Sequence, residues 1–113
     1  MTQYLISFGA HAMDHIPDEE GPAVGKAALA VIREAKDAYV YVFAGGLESE
    51  QATIVATDGM VTDGPYPETK EVIGGLTVVE VPSREEALEW AAKIAAACRC
   101  AQEVRVFQPG PDL

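Results

Sequence analysis

The order of strand and helix patterns is the feature of this sequence that most constrains its fold. The first unit comprises a strand over residues 4–8, a helix over 22–38 and a strand over 39–43; the second comprises a strand over 76–81, a helix that begins after Ser83 and a strand over 103–107. Two right-handed βαβ units of this kind give a four-stranded antiparallel sheet with both helices on one face. The sequence therefore predicts an α+β, ferredoxin-like subunit that forms one domain over residues 1–113.

Both faces of the predicted sheet are apolar. Along the second strand Tyr39, Tyr41 and Phe43 alternate with Val40 and Val42. Two helices on one face leave the other face bare, and proteins rarely leave an apolar sheet face in water. We therefore expect a homodimer whose sheets pack face to face or close into a dimeric α/β barrel, with a small-molecule pocket between sheet, helix and long loops.

A β-hairpin is predicted between the two units. Strand-like runs over residues 52–57 and 60–62 flank Asp58-Gly59, a dipeptide that suits a two-residue hairpin turn. We expect Gly45-Gly46 to end the preceding strand and Gly74-Gly75 to release the chain into the next. The connection between hairpin and strand reads Asp63-Gly64-Pro65-Tyr66-Pro67-Glu68-Thr69-Lys70-Glu71. We interpret this segment as the wall of a pocket.

Charge and cysteine content exclude several classes of function. The chain has 18 acidic and 8 basic residues, and a net charge of −10 without a basic cluster opposes binding to nucleic acid. No long apolar stretch is present, so we expect no signal peptide, no membrane span and a cytoplasmic location. Cys98 and Cys100 are too close in sequence for an unstrained disulfide. We interpret them as packing residues rather than half of a metal site.

Acid–base chemistry has two candidate residues, His15 and Asp63. His15 is the candidate base near neutral pH, although a loop histidine is often simply solvated. Asp63 can orient such a base or cap exposed backbone N–H groups at a Gly-Pro turn. His11, four residues before His15, has no evident third ligand nearby, so we predict no metal. Nucleophile and dinucleotide motifs are also missing, and any catalysis is predicted to be cofactor-free.

The rest of the candidate site lies in the loop. Pro65 and Pro67 restrict the backbone, which holds Tyr66 over a cavity or simply orders the connection. Glu68, Lys70 and Glu71 form an ion-pair network that orients them across the loop or are simply surface charges. The substrate-binding residues that we predict are Gly64, Pro65, Tyr66, Glu68, Lys70 and His11.

The loop sequence resembles the signature of the DGPF-domain proteins, part of the YCII-related group within the dimeric α/β-barrel superfamily. Besides residues 63–71, the stretches that resemble the group are Gly45-Gly46-Leu47, Asp58-Gly59, Gly74-Gly75, residues 86–91 and Glu103-Val104-Arg105. The similarity thus covers most of the chain. This sequence has Tyr66 where the signature has phenylalanine, which keeps the ring and adds a hydroxyl.

The resemblance implies a ferredoxin-like subunit, a homodimer and a pocket. Relatives are thought to use a histidine and an aspartate as an acid/base pair, but the first predicted helix of this sequence contains no histidine. The leading hypothesis is a small-molecule pocket with elimination, isomerisation or hydrolysis at His15 and Asp63. Related domains also occur beside sigma factors, which implies the alternative of a non-catalytic ligand-sensing or regulatory module.

Overall fold

Two strand–helix–strand units and one hairpin make up the protein in a computed structural model, which describes residues 1–48, 51–66, 69 and 72–110. The strands are β1 (Thr2–Gly9), β2 (Tyr41–Gly46), β3 (Ala52–Val55), β4 (Val61–Gly64), β5 (Ile73–Val81) and β6 (Glu103–Val106); the helices are α1 (Gly21–Asp37) and α2 (Arg84–Cys98). A 3-10 turn, Asp18–Glu20, precedes α1.

The main sheet has four antiparallel strands in the order β2-β5-β1-β6. The two long strands β1 and β5 lie at its centre, where Ile6 pairs with Thr77 and Tyr4 pairs with Val79. Both helices pack on one face, since the residues that alternate towards that face are the buried ones. The predicted ferredoxin-like α+β fold is therefore confirmed.

The hydrophobic core lies between this sheet and the helices. Ile6, Val79 and Val81 are its largest fully buried side chains. The helix α2 contributes four buried residues at helical spacing, namely Ala87, Ala91, Ile94 and Cys98. The two alanines of this stripe let the helix lie close to the strands.

The helix boundaries follow local capping chemistry. Ser83 precedes α2 and its Oγ accepts a hydrogen bond from the Glu86 backbone N–H at 3.3 Å, so the predicted helix start after Ser83 is confirmed. At the end of α1 the residue Tyr39 takes a left-handed φ of 61°. The strand predicted from residue 39 is wrong at its start, because Tyr39 ends the helix and β2 begins at Tyr41.

Two glycine pairs lie inside strands. The sequence predicts instead that one pair ends a strand and that the other precedes one. Gly45 and Gly46 pair with β5 as part of β2, and Gly74 and Gly75 lie within β5. A Cβ on Gly75 would come within 2.4 Å of the Phe8 ring, and a Cβ on Gly74 within 2.7 Å of the Ala10 Cα. Gly74 and Gly75 therefore serve close approach within the sheet rather than a turn.

The hairpin forms a sheet of its own from β3 and β4. The backbone N–H of Ala56 donates a hydrogen bond to the Met60 carbonyl oxygen across residues 57–59, and only Gly59 among the turn residues has a positive φ, 87°. The predicted hairpin is confirmed, but its turn is three residues long rather than two. The strand β4 also runs further than predicted, so that Asp63 pairs with Thr53 and Gly64 with Ala52.

The molecule is flat and extended. Its dimensions are 45 × 43 × 19 Å and its radius of gyration is 15.8 Å, against about 13 Å for a compact chain of this length. The thickness corresponds to one sheet and one helix layer, so the second sheet face is uncovered. Among the described residues, no helix is long and apolar enough to cross a membrane.

Candidate functional site

A cavity of about 480 Å³ lies between the helices and the sheet, close to the start of α1. One wall is formed by the end of β1 and the middle of β5, including Phe8 and Thr77. The opposite wall comes from α1 and α2 and includes Val24 and Ile94. Ligand pockets commonly occupy about 300–1,000 Å³, so this cavity is large enough for a small organic molecule.

Small residues create the space. The inward side of α1 carries Gly21, Gly25 and Ala28 along the cavity, and the end of β2 contributes Gly45 and Gly46. A Cβ built on Gly21 or Gly25 would meet no atom within 4 Å. Larger side chains at these positions would extend the helix–sheet packing into the cavity. The volume therefore follows from where the sequence puts its small residues.

Thr77 is the buried polar group of the cavity wall. Its side chain is only 6% exposed, and it makes no hydrogen bond with any described residue. No side-chain oxygen or nitrogen that is fully sealed from solvent lacks a partner in the described part of the chain. The Thr77 hydroxyl must therefore be reached through the cavity, where it can donate one hydrogen bond and accept others.

Cys98 also lies in the cavity wall, and its thiol is not activated as a nucleophile. Burial, followed by the proximity of Cys100, raises the pKa of the Cys98 thiol above its ordinary value. Burial likewise raises the pKa of Cys100, against an opposing hydrogen bond from Gln102. A nucleophilic cysteine needs a stabilised thiolate, so these two free thiols do not have the environment of a nucleophile.

The histidine segment, residues 10–17, runs along the rim of the cavity as a series of turns. Met13, Ile16 and Pro17 line the cavity. His15 stands between these residues in sequence but is exposed and is not part of the wall. His11 is also exposed, and its Nδ1 lies 2.8 Å from Oδ2 of Asp14. The segment thus presents apolar residues to the cavity and both imidazoles to solvent.

The predicted loop residues lie outside the cavity wall wherever the structure describes them. Asp63 is exposed on β4, and Pro65 and Tyr66 are exposed after it, while Gly64 is half-buried. Glu68, Lys70 and Glu71 fall outside the described residues. The cavity wall includes the end of β1 and the start of α1 but no described residue between 63 and 66.

One contact connects the two predicted halves of the site. The backbone N–H of Ala10 donates a hydrogen bond to the carbonyl oxygen of Val72 at 2.7 Å. Val72 is the described residue at the far end of the loop, and Ala10 immediately precedes His11. The histidine segment therefore lies between the end of the loop and the cavity, although the side chains of His15 and Asp63 make no hydrogen bond or ion pair with any described residue.

None of the predicted site residues that the structure describes lines the cavity, and its polar residues Asp18, Thr77 and Cys98 are not predicted as site residues. Thr77 had a visible signal, since it is a hydroxyl residue within an otherwise apolar central strand. No sequence signal marked Asp18 or Cys98. They reach the cavity only because the 3-10 turn before α1 and the end of α2, which are far apart in sequence, lie close together in the fold. Periodicity shows which side of an element is buried but not which elements share a void.

A four-stranded antiparallel sheet with two helices on one face, and a cavity between the layers, defines an α+β subunit of ferredoxin-like fold. Residues 11–108 match the family model of the YCII-related domain. The chain therefore belongs to the YCII-related domain family, as its sequence resemblance predicts. A comparison with curated proteins finds no match.

Proposed function

We propose that this protein binds a small, mostly apolar organic molecule in the cavity between α1, α2 and the sheet. The observation that carries the proposal is the cavity itself, about 480 Å³ in volume, with an apolar wall and the open hydroxyl of Thr77. A pocket with few convergent polar groups is the usual form of a small-molecule site. Within the YCII-related family, the DGPF assignment remains our finer prediction.

A thermal-shift screen with two matched variants tests the proposal. Ala28 lines the cavity, whereas the neighbouring Ala27 is exposed on the same helix. Compounds present at about 100 times their dissociation constant should stabilise the protein by about 2.7 kcal/mol. Hits should stabilise wild type and Ala27→Phe but not Ala28→Phe, in which the ring occupies the cavity. Equal stabilisation of both folded variants would place binding elsewhere.

For catalysis we propose cofactor-free proton transfer with His15 as base and Asp63 as the orienting carboxylate. The support is positional: the segment that carries His15 lies between the cavity, through Ile16, and the end of the loop, through Ala10. Histidine is the side chain whose ordinary pKa suits a base near neutral pH. Elimination, isomerisation and hydrolysis are the reaction types that need no cofactor.

The catalytic proposal is tested by following each binding hit by NMR with wild type and two variants. His15→Gln and Asp63→Asn should retain binding and lose conversion, whereas Asp37→Asn, an exposed carboxylate at the end of α1, should convert the compound as wild type does. Conversion that survives both changes would remove these two residues from the chemistry.

A non-catalytic sensor is the second candidate, and one observation favours it. The described cavity wall contains no histidine, lysine or arginine, and its one carboxylate, Asp18, is solvent-exposed, so no buried acid–base group faces a ligand there. This candidate is a cytoplasmic ligand-sensing module linked to sigma-factor systems. Binding hits that wild type leaves chemically unchanged over long incubation would support it, and turnover would exclude it.

The uncovered sheet face supports a homodimer. Leu5, Val78 and Phe43 lie side by side across three strands on the face opposite the helices, which we call the open face. Phe43 is 58% exposed there. Four strands spaced ~4.8 Å apart, each of ~7 residues, cover roughly 400 Å², about half of the ~800 Å² that each partner of a stable complex buries.

The hairpin supplies the remaining area in our proposal. Val55, Met60 and Val61 are exposed near its tip, and β3 and β4 pair with none of the four main-sheet strands. A two-stranded hairpin is marginally stable on its own in water, so an apolar hairpin of this kind requires a surface. We propose that each subunit's hairpin packs against the other subunit beside the open face.

A further inference from the structure

We infer that the cavity selects small apolar amines, which are cationic at neutral pH, over carboxylates and phosphates of the same shape. The inference rests on the proposed function, because it names the chemical class of the ligand for that site. It depends on the two polar side chains that a ligand would meet, Thr77 in the wall and Asp18 at the start of the helical turn before α1.

Asp18 is the one charged side chain of the described cavity wall. It forms no hydrogen bond or ion pair with any described residue, and it caps neither the 3-10 turn nor α1. Its neighbour Glu20 differs, since Arg99 donates a hydrogen bond to Glu20 Oε1 at 2.5 Å. The negative charge at the cavity is therefore not compensated by a protein cation.

An ionised carboxylate only accepts hydrogen bonds, so a ligand group that meets Asp18 must donate one. A protonated amine donates and also carries the opposite charge. The N-terminus of α1, which would attract an anion, follows directly after three acidic residues, Asp18, Glu19 and Glu20. These carboxylates already complement the helix dipole and would repel a second anion.

Thr77 does not oppose this selection. Its hydroxyl can accept a hydrogen bond from an ammonium or exchange one with a neutral alcohol. An anionic ligand would find one hydroxyl donor and no lysine, arginine or histidine in the described wall. The net charge of −10 adds a field of the same sign across the whole molecule. Binding an anion would thus leave its charge desolvated without a counter-ion.

Three probes with one apolar body test the inference: 3-phenylpropylamine, 3-phenylpropan-1-ol and 3-phenylpropanoate. Dissociation constants are measured by ligand-observed NMR at pH 7. The amine should bind about 10-fold more tightly than the carboxylate, with the alcohol between them. Raising the ionic strength from ~0.02 M to ~0.5 M should reduce the difference in affinity between the amine and the carboxylate, because Asp18 is solvent-exposed and salt screens its charge.

Two variants that each remove one negative charge test whether Asp18 is the residue responsible for the selectivity. Asp18→Asn should weaken binding of the amine about 5-fold, leave the alcohol unchanged and improve the carboxylate. Glu19→Gln, an exposed neighbour outside the cavity wall, should leave the three affinities in the order of wild type.

Equal binding of all three probes, or amine binding that Asp18→Asn does not weaken, would overturn the inference while the ligand site itself stands. Tighter binding of the carboxylate would overturn it as well. If no probe binds and no library compound stabilises the protein, the proposed function fails together with the inference.

Discussion

Thr77 shows how a single residue connects stability to the proposed function. Its hydroxyl opens onto the cavity and makes no hydrogen bond with the described residues. Thr77→Val keeps the shape and the strand propensity, so it should raise the free energy of unfolding by about 1 kcal/mol and the melting temperature by about 4 °C. Calorimetry would measure this, with the exposed Thr62→Val as control. A loss of stability would mean that the hydroxyl is satisfied.

The buried Cys98 thiol should make the free energy of unfolding depend on pH. Burial first, and Cys100 second, hold the pKa of the folded Cys98 thiol above that of the unfolded chain. The associated stability is fully present below the unfolded value, about 8.5, and is lost as pH rises through the folded pKa.

Denaturant unfolding between pH 8 and pH 10 measures this dependence. The free energy of unfolding of wild type should fall more steeply with pH than that of Cys98→Ala, because tyrosine and lysine titrate equally in both proteins. Parallel pH profiles would show that Cys98 ionises alike in the folded and unfolded states.

A residue close to the end of each α-helix has a strained, left-handed backbone conformation, which a glycine would relieve. Tyr39 ends α1 with a φ of 61° and is 92% exposed, so its side chain stabilises little. Glycine takes this conformation without a Cβ clash, and Tyr39→Gly should therefore stabilise the protein by about 1 kcal/mol in urea unfolding.

Arg99 provides the comparison for this prediction. It ends α2 with a φ of 57° but donates a hydrogen bond to Glu20. Arg99→Gly relieves the same backbone strain and removes that contact, so it should gain less stability than Tyr39→Gly. Destabilisation by Tyr39→Gly would show that the exposed ring has a partner outside the subunit.

Elements set by local chemistry are the ones that the sequence predicts well. The start of α2 follows from Ser83 and Glu86, which lie one helical turn apart, and the structure confirms it. Gly75 depends instead on the ring of Phe8, a residue on another strand, and nothing within its own segment shows that it lies in a sheet. The same holds for the site: the family is shown by a match over residues 11–108 of the sequence, whereas the cavity arises from the packing of several elements.

At the scale of the whole molecule, the open face predicts an assembly that a single charge can break. Leu5, Val78 and Phe43 form its apolar row. If two copies pack through it, wild type should sediment as a dimer, and Val78→Lys should sediment as a monomer because a buried unpaired charge is costly. The control Leu29→Lys changes an exposed apolar residue on α1. A monomeric wild type at micromolar concentration would contradict the homodimer.

A ligand that enters the cavity between the helices and the sheet should perturb the side chains of the cavity wall. Methyl NMR of wild type titrated with 3-phenylpropan-1-ol tests it directly. We expect saturable chemical-shift changes for the methyl groups of Val24 and Ile94, which line the cavity. We expect none for Val55 and Val61 on the hairpin. Shifts confined to the hairpin, with Val24 and Ile94 unmoved, would contradict the claim.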